Sequence, residues 1–337
     1  MCSRSCIPMR LSPGAYLQFR SCGLLPGISL VPFDGEIADA ISSMSERSHA
    51  MRNVNAGFKP THILSVCEAE YLSGLQQRLK RESKDVPEET LVEHRSIAKH
   101  VAMALLLTGP IHFEIAAGNY HLEKKDGKWV CRAWGTIGLG PRMASNTYFP
   151  TCYVSTKRIR ADSLRVMMVK LDRYFRSGWW WHDRLGMTLE YFWNGICTSH
   201  PEQAFLSLTT AMEALLTTQS TEITHNLAER VAVLLGNTCE LRLAKYRQVK
   251  KLYDTRSKIV HGKVFPKKGP LNSGTLAVGP KFSNVPPDDL KSILEITLGL
   301  IRTTFRRPSL LSIIQTKQKE SKTQEQLNHY FLTQLFK

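Results

Sequence analysis

No part of this chain holds the roughly 18 uninterrupted apolar residues of a membrane-spanning helix. The longest apolar run, residues 101–107, falls far short. Paired metal-binding cysteines are also missing. The eight cysteines (Cys2, Cys6, Cys22, Cys67, Cys131, Cys152, Cys197 and Cys239) form no Cys-x-x-Cys pair and have no histidines at zinc-finger spacing. They are too sparse for a disulfide-stapled fold, so reduced thiols are expected. Gly135, Gly138 and Gly140 do not match a nucleotide-binding fingerprint, and no Gly-x-Ser-x-Gly nucleophile elbow occurs. Pro8, Arg10, Pro13 and Arg20 interrupt the first residues, so no secretory leader is expected. These absences predict a soluble, cytoplasmic protein with no metal and no cofactor. Acidic side chains are scarce: 29 Asp and Glu stand against 45 Lys and Arg, leaving a formal net charge of +16. That excess suits a polyanionic partner or a merely solvated basic surface, and charge alone does not separate the two.

What is present reads as two domains. Residues 1–60 carry Pro and Gly at short intervals with no sustained period, which predicts strands and turns. Pro87-Glu88-Glu89-Thr90 places a proline and two acids where a helix exposes its amide donors, and Gly109-Pro110 stops that helix. Residues 111–115 and 128–137 read as strands, with Lys125-Asp126-Gly127 as a turn. Residues 1–156 are therefore expected to be a mixed α/β domain.

From residue 157 the pattern is helical. Helices are expected at 161–175 and 185–197, and from Pro201 with Phe205, Leu208, Met212 and Leu215 on one face. Others start after Thr221-Glu222, run over 241–261 with Gly262 as the cap, and start at Pro286-Pro287-Asp288-Asp289. Residues 264–287 read as a long surface loop. Trp179, Trp180 and Trp181 read more readily as an aromatic anchor than as a base-stacking platform. The fold class is α+β: a mixed region, then an all-α bundle over 157–308, then a docking tail helix over 309–337.

Arg256 falls on the apolar stripe of helix 241–261, in step with Tyr246, Val249 and Tyr253. A cation there needs an anion or acceptors. His261 follows at the helix terminus, expected on the adjacent face, with Ser257 and Lys258 between. Metal-independent RNA cleavage requires such groups. The ribose 2′-hydroxyl must lose a proton, the leaving 5′-oxygen must gain one, and an arginine fork matches the charge that develops on phosphate. Spacing alone equally fits Lys258 and His261 complementing a helix end, with Arg256 in a structural ion pair. His225 and Glu229, four apart on a helix, could share a metal, but no third ligand is evident.

The run Leu-Tyr-Asp-Thr-Arg-Ser-Lys-Ile-Val-His-Gly over 252–262 resembles the signature of the HEPN superfamily, in its ApeA-like branch: an arginine, four to six residues, then a histidine. Two upstream segments fit as well, Phe205-Leu206-Ser207-Leu208 through Met212-Glu213-Ala214-Leu215-Leu216, and Ile223 to Arg230. The likeness covers roughly residues 185–307, and implies that residues 1–156 sense or recognise a trigger, target or partner. It implies a helical bundle that forms a homodimer, with the Arg and His of two subunits facing a shared cleft. It further implies RNA as substrate, cleavage without metal, and service in a toxin–antitoxin or antiviral defence system with an antitoxin or defence partner. Carried over, Arg256 and His261 are the catalytic pair, Glu213 an acid that orients Arg256, and Tyr253, Ser257 and Lys258 supporting residues. Many active members have Asn, Asp or His directly after the arginine, where this chain has Ser257. A catalytically silent member that binds RNA, a nucleotide or a protein is the alternative.

Overall fold

A computed structural model describes residues 3–11, 21–33, 35–47, 61–67, 70–71, 73, 94–109, 113–115, 118–136, 159–175, 183–198, 200–217, 222–262, 285–315 and 320–335. The chain divides into two compact units between Arg173 and Tyr174.

The first unit is built on an antiparallel sheet of seven strands: β1 (Ser3–Leu11), β2 (Cys22–Leu25), β3 (Ile28–Pro32), β4 (His62–Val66), β5 (Phe113–Ile115), β6 (Gly118–Lys125) and β7 (Lys128–Thr136). Their order is β2-β3-β4-β1-β6-β7, and β5 pairs with the far end of β1. Alternation sorts the side chains onto two faces. Cys6, Ile63, Tyr120 and Leu122 form one face, packed against Ala40 and Ile41 of helix α1 (Gly35–Arg47). Ile7, Met9, Ile28, Leu30 and Leu64 lie on the other and are equally closed to solvent. The β6–β7 turn carries Asp126 and Gly127 at φ 51° and 82°, the paired positive angles of a tight hairpin whose twist matches its strands. The expected turn thus sits where Lys125-Asp126-Gly127 placed it.

Helix α1 was not expected. Its apolar residues Ile37, Ala38, Ala40 and Ile41 occupy little more than one turn among serines and acids, too short a stripe to stand out as a period. Helix α2 (His94–Thr108) ends at Gly109 as expected, while residues 87–93 lie outside the described residues. Val101 and the six residues after it are at most 2% exposed, as befits a helix that is apolar all round. Helix α3 (Ala161–Phe175) has the expected bounds but groups with the sheet rather than with the bundle. Arg165 Nε donates to the Gly23 carbonyl (3.0 Å) and Tyr71 Oη to Asp172 Oδ1 (3.3 Å). A boundary at residue 156 separates it from these partners. The tryptophan triplet at 179–181 and most of the expected loop at 264–287 lie outside the described residues.

The second unit is helical among its described residues: α4 (Arg184–Cys197), α5 (Pro201–Leu216), α6 (Ile223–Leu235), α7 (Cys239–Val260), α8 (Pro287–Arg306), α9 (Pro308–Ile314) and α10 (Glu320–Leu335). Asp183 caps α4, accepting from the Gly186 amide (2.7 Å) and from the Tyr174 hydroxyl. Helix α4 packs along α5 and α6 along α7, while α8 crosses both α5 and α6. In place of the single tail helix expected over 309–337 there are two, α9 and α10. Leu327, Tyr330 and Phe331 are buried, and Arg230 of α6 reaches Asn328 Oδ1 (2.6 Å) and lies over the Phe331 ring. Among the described residues no helix is long and apolar enough to cross a membrane.

One polar clamp fixes α7. Asp289, in the first turn of α8 and 3% exposed, accepts from Lys251 Nζ (2.7 Å) and from Thr255 Oγ1 (2.9 Å). Its charge also complements the N-terminal end of α8. Replacing Asp289 with Ala is expected to cost about 2 kcal/mol in urea unfolding, against under about 0.5 kcal/mol for Asp288→Ala in the same turn. Equal costs would remove the clamp from the account. Hydrogen bonding to Asp289 raises the Lys251 pKa. The Lys251 part of the clamp is therefore full below the ordinary lysine value of about 10.4 and is lost as pH rises through the raised one, while the Thr255 bond remains.

Candidate functional site

Helix α7 starts at a capping residue, Thr238, whose hydroxyl accepts from the Leu241 amide (3.3 Å). It ends at His261, whose amide still donates to the Ser257 carbonyl (3.0 Å). Gly262 then takes φ 63°, the left-handed turn that ends a helix, and donates to the Ile259 carbonyl (3.1 Å). The expected cap is thus in place. Between these ends only Val249, Leu252 and Thr255 are buried, so most of the helix circumference faces solvent.

At 100° per residue, Arg256 lies on the same side as those three residues. Its guanidinium turns to Glu213 on α5: Nε is 3.2 Å from Glu213 Oε1, and Nη2 donates to Oε2 at 3.5 Å. Nε and Oε1 are both buried, yet their N–H···O alignment falls short of a hydrogen bond. The contact at those atoms is charge on charge. The Arg256 and Glu213 side chains are only 29% and 18% exposed, which sets this pair apart from the screened pairs of an open surface. Tyr253 completes the cluster. The Arg256 guanidinium lies 5.2 Å from the centre of its ring, and its phenol feels the Glu213 carboxylate. Burial first, and then Glu213, push the phenol up to about 12, so it stays protonated at neutral pH. Glu213 occupies the Nε/Nη2 edge of the fork. Among the described residues Nη1 meets no acceptor.

His261 is exposed, as are Ser257 and Lys258. Five residues of helix separate Arg256 from His261 by about 7.5 Å along the axis and about 140° around it. His261 falls opposite the buried strip rather than on the face adjacent to Arg256. Within one copy of the chain, then, Glu213, Tyr253 and Arg256 come together, and His261 stands apart from them.

A cleft of about 620 Å³ opens beside this cluster, lined by Glu222, Ile223, Thr224 and His225 around the start of α6 and by Lys250 and Tyr253 of α7. His225 Nδ1 is 2.9 Å from the Tyr246 hydroxyl, and Lys250 Nζ lies 5.7 Å from the centre of the Tyr246 ring. His225 is thus engaged with Tyr246, while Glu229 lines a different groove with Arg230 and Asn328. Sequence reasoning did not find Lys250. Its signal was its place with Arg247, Lys258 and His261 at spacings of three, eight and three, but the sequence does not say which face of a basic helix has a neighbour. Comparisons with protein-family models, curated proteins and solved structures found no match.

The Glu213–Arg256 contact has a direct test. A double-mutant cycle on unfolding free energy, with Glu213→Ala and Arg256→Ala, is expected to give a coupling of about 1 kcal/mol. The same cycle between Glu213 and exposed Lys258 should stay within about 0.3 kcal/mol of zero. Zero coupling for the first pair would show the two side chains apart in solution.

Proposed function

We propose that the protein is a metal-independent endoribonuclease of the HEPN type, acting as a homodimer in a cytoplasmic defence or toxin–antitoxin system. One observation carries this reading. Arg256 is held by Glu213 and Tyr253, with no acceptor for Nη1 among the described residues, beside a cleft, on the helix that ends in exposed His261. In the reaction, His261 takes the proton of a ribose 2′-hydroxyl, and the oxygen attacks the adjacent phosphorus. The bond to the 5′-oxygen breaks, and that oxygen takes up a proton as it leaves. A 2′,3′-cyclic phosphate remains. Arg256 meets the extra negative charge that builds on the phosphate oxygens. Because one copy holds its Arg256 and His261 on opposite sides of α7, the working pair combines Arg256 of one subunit with His261 of the partner subunit.

A second reading, a silent HEPN protein that binds RNA or a nucleotide, is favoured by Ser257 after the arginine and by the charge of Glu213, which offsets Arg256. The two readings part on labelled RNA in excess chelator. Cleavage is expected to leave cyclic phosphate ends, to spare RNA with 2′-deoxy substitution, and to slow at least about 100-fold in Arg256→Ala and in His261→Ala. Mixing the two inactive variants should restore about a quarter of the activity, because half of the re-formed dimers hold one intact composite site. Undiminished cleavage in both variants, or none by the wild type, rules out the catalytic assignment. Failure of the mixture alone places the pair within one chain.

A further inference from the structure

Helix α7 carries seven basic residues, Arg242, Lys245, Arg247, Lys250, Lys251, Arg256 and Lys258, and only two acids, Glu240 and Asp254. Four of the seven are occupied: Lys251 by Asp289, Arg256 by Glu213, Arg242 by the Gly236 carbonyl and Lys245 by Gln248. Arg247, Lys250 and Lys258 have no carboxylate partner among the described residues, and all three are exposed. At 100° per residue they fall within about 60° of His261, on the side opposite the buried strip. Arg247 to His261 spans about 21 Å of helix. Asp254 lies in the same stripe, so the track is broken by one negative charge.

Lys250 belongs to two features at once. It is a member of the stripe, and it lines the cleft with His225 and Tyr253. A volume of about 620 Å³ is ample for one nucleotide. Beside Lys250, Tyr246 and Tyr253 are half-buried rings. A basic groove interleaved with aromatic rings is what an unpaired strand needs, because phosphates meet the cations while bases stack on the rings. Tyr253 also touches Arg256, so a nucleotide seated in the cleft lies next to the Glu213–Arg256 cluster.

We infer that this cleft is a backbone-phosphate subsite for single-stranded RNA, with Lys250 and His225 as its phosphate ligands, and that the strand continues along the exposed face of α7 past Lys258 to His261. The inference rests on the ribonuclease reading for the identity of the polyanion. It adds where the strand lies and which cations hold it. Glu222 at the cleft and Asp254 on the stripe oppose the phosphates and limit the affinity of the track.

The test is binding rather than turnover, on the full chain, with a 2′-O-methyl oligoribonucleotide that cannot be cut. Anisotropy is measured across a salt series. Each phosphate contact contributes about 0.7 to the slope of log K against log salt for a single strand. Lys250→Gln, Arg247→Gln and Lys258→Gln are each expected to lower the slope by about 0.7 and to weaken binding about five-fold near 0.1 M salt. Lys322→Gln, an exposed control on α10, should change neither. His225→Ala is expected to weaken binding further when combined with Lys250→Gln. All of these residues are exposed, and unchanged thermal unfolding would confirm intact folds. If the stripe variants behave like the control while wild-type cleavage persists, the strand takes another route, and the ribonuclease reading survives. A nucleoside monophosphate that binds through Lys250 with no effect from Lys258→Gln makes the cleft an isolated nucleotide pocket and overturns the strand path. Absence of RNA binding by the wild type at every salt concentration overturns both.

Discussion

A helix with seven basic residues and three buried ones is poorly anchored by apolar contact, because a strip that narrow resists rotation weakly. What turns α7 to one orientation is a buried carboxylate. Asp289 accepts from Lys251 and Thr255, four residues apart and so one above the other on the same side of the helix. An unpaired carboxylate at that depth is costly, so rotations of α7 that break the contact are penalised as a unit. Once that face is fixed, Arg256 must point towards α5 and His261 must point away. The ion pair with Glu213, the ring of Tyr253 beneath the guanidinium and the open cleft beside Lys250 all follow from this one orientation.

Much of the bundle was legible because its signals are local. Gly262, Pro201 and Pro287 mark helix ends by chemistry that acts within a turn, and the helices begin and end within a few residues of those marks. Arg256 was legible for a different reason. A cation on an apolar stripe demands an anion, and Glu213 on the preceding helix pair meets that demand. The sheet unit was harder to read, because its relations are distant in sequence. Helix α3 answers to Gly23 and Tyr71, partners roughly a hundred residues or more away that no local window contains. Helix α1 is legible only by the sheet face of Cys6, Ile63 and Tyr120 that it covers.

The placement of His261 was misread for a geometrical reason. Nearness in sequence at a helix end suggests nearness in space, but five residues at 3.6 per turn carry a side chain well round the axis. Under the proposed reading that separation has a use. Residues on opposite sides of one helix cannot converge on one phosphate, whereas a two-fold arrangement brings a different residue from each copy to a single point. A site complete only in the dimer is inactive whenever the subunits are apart, which gives control of assembly direct control of cleavage.

The Glu213–Arg256 pair then acquires a specific role. A guanidinium already balanced by a carboxylate adds little to the binding of intact RNA, since the arriving phosphate meets a nearly neutral couple. The cations of the stripe, Arg247, Lys250 and Lys258, are better suited to that work, because none of them has a carboxylate partner among the described residues and Asp254 is the one acid in their stripe. Arg256 differs in being oriented: Glu213 holds one edge of the fork and Tyr253 its face, which lowers the reorganisation that the proposed mechanism requires when charge develops. An interaction that is weak towards the ground state and strong towards the more highly charged transition state is what accelerates a reaction, whereas equal attraction to both only tightens binding. In the proposed mechanism the same anion that dulls Arg256 as an RNA binder is therefore what fits it for catalysis, and the two tasks fall to different residues of one helix.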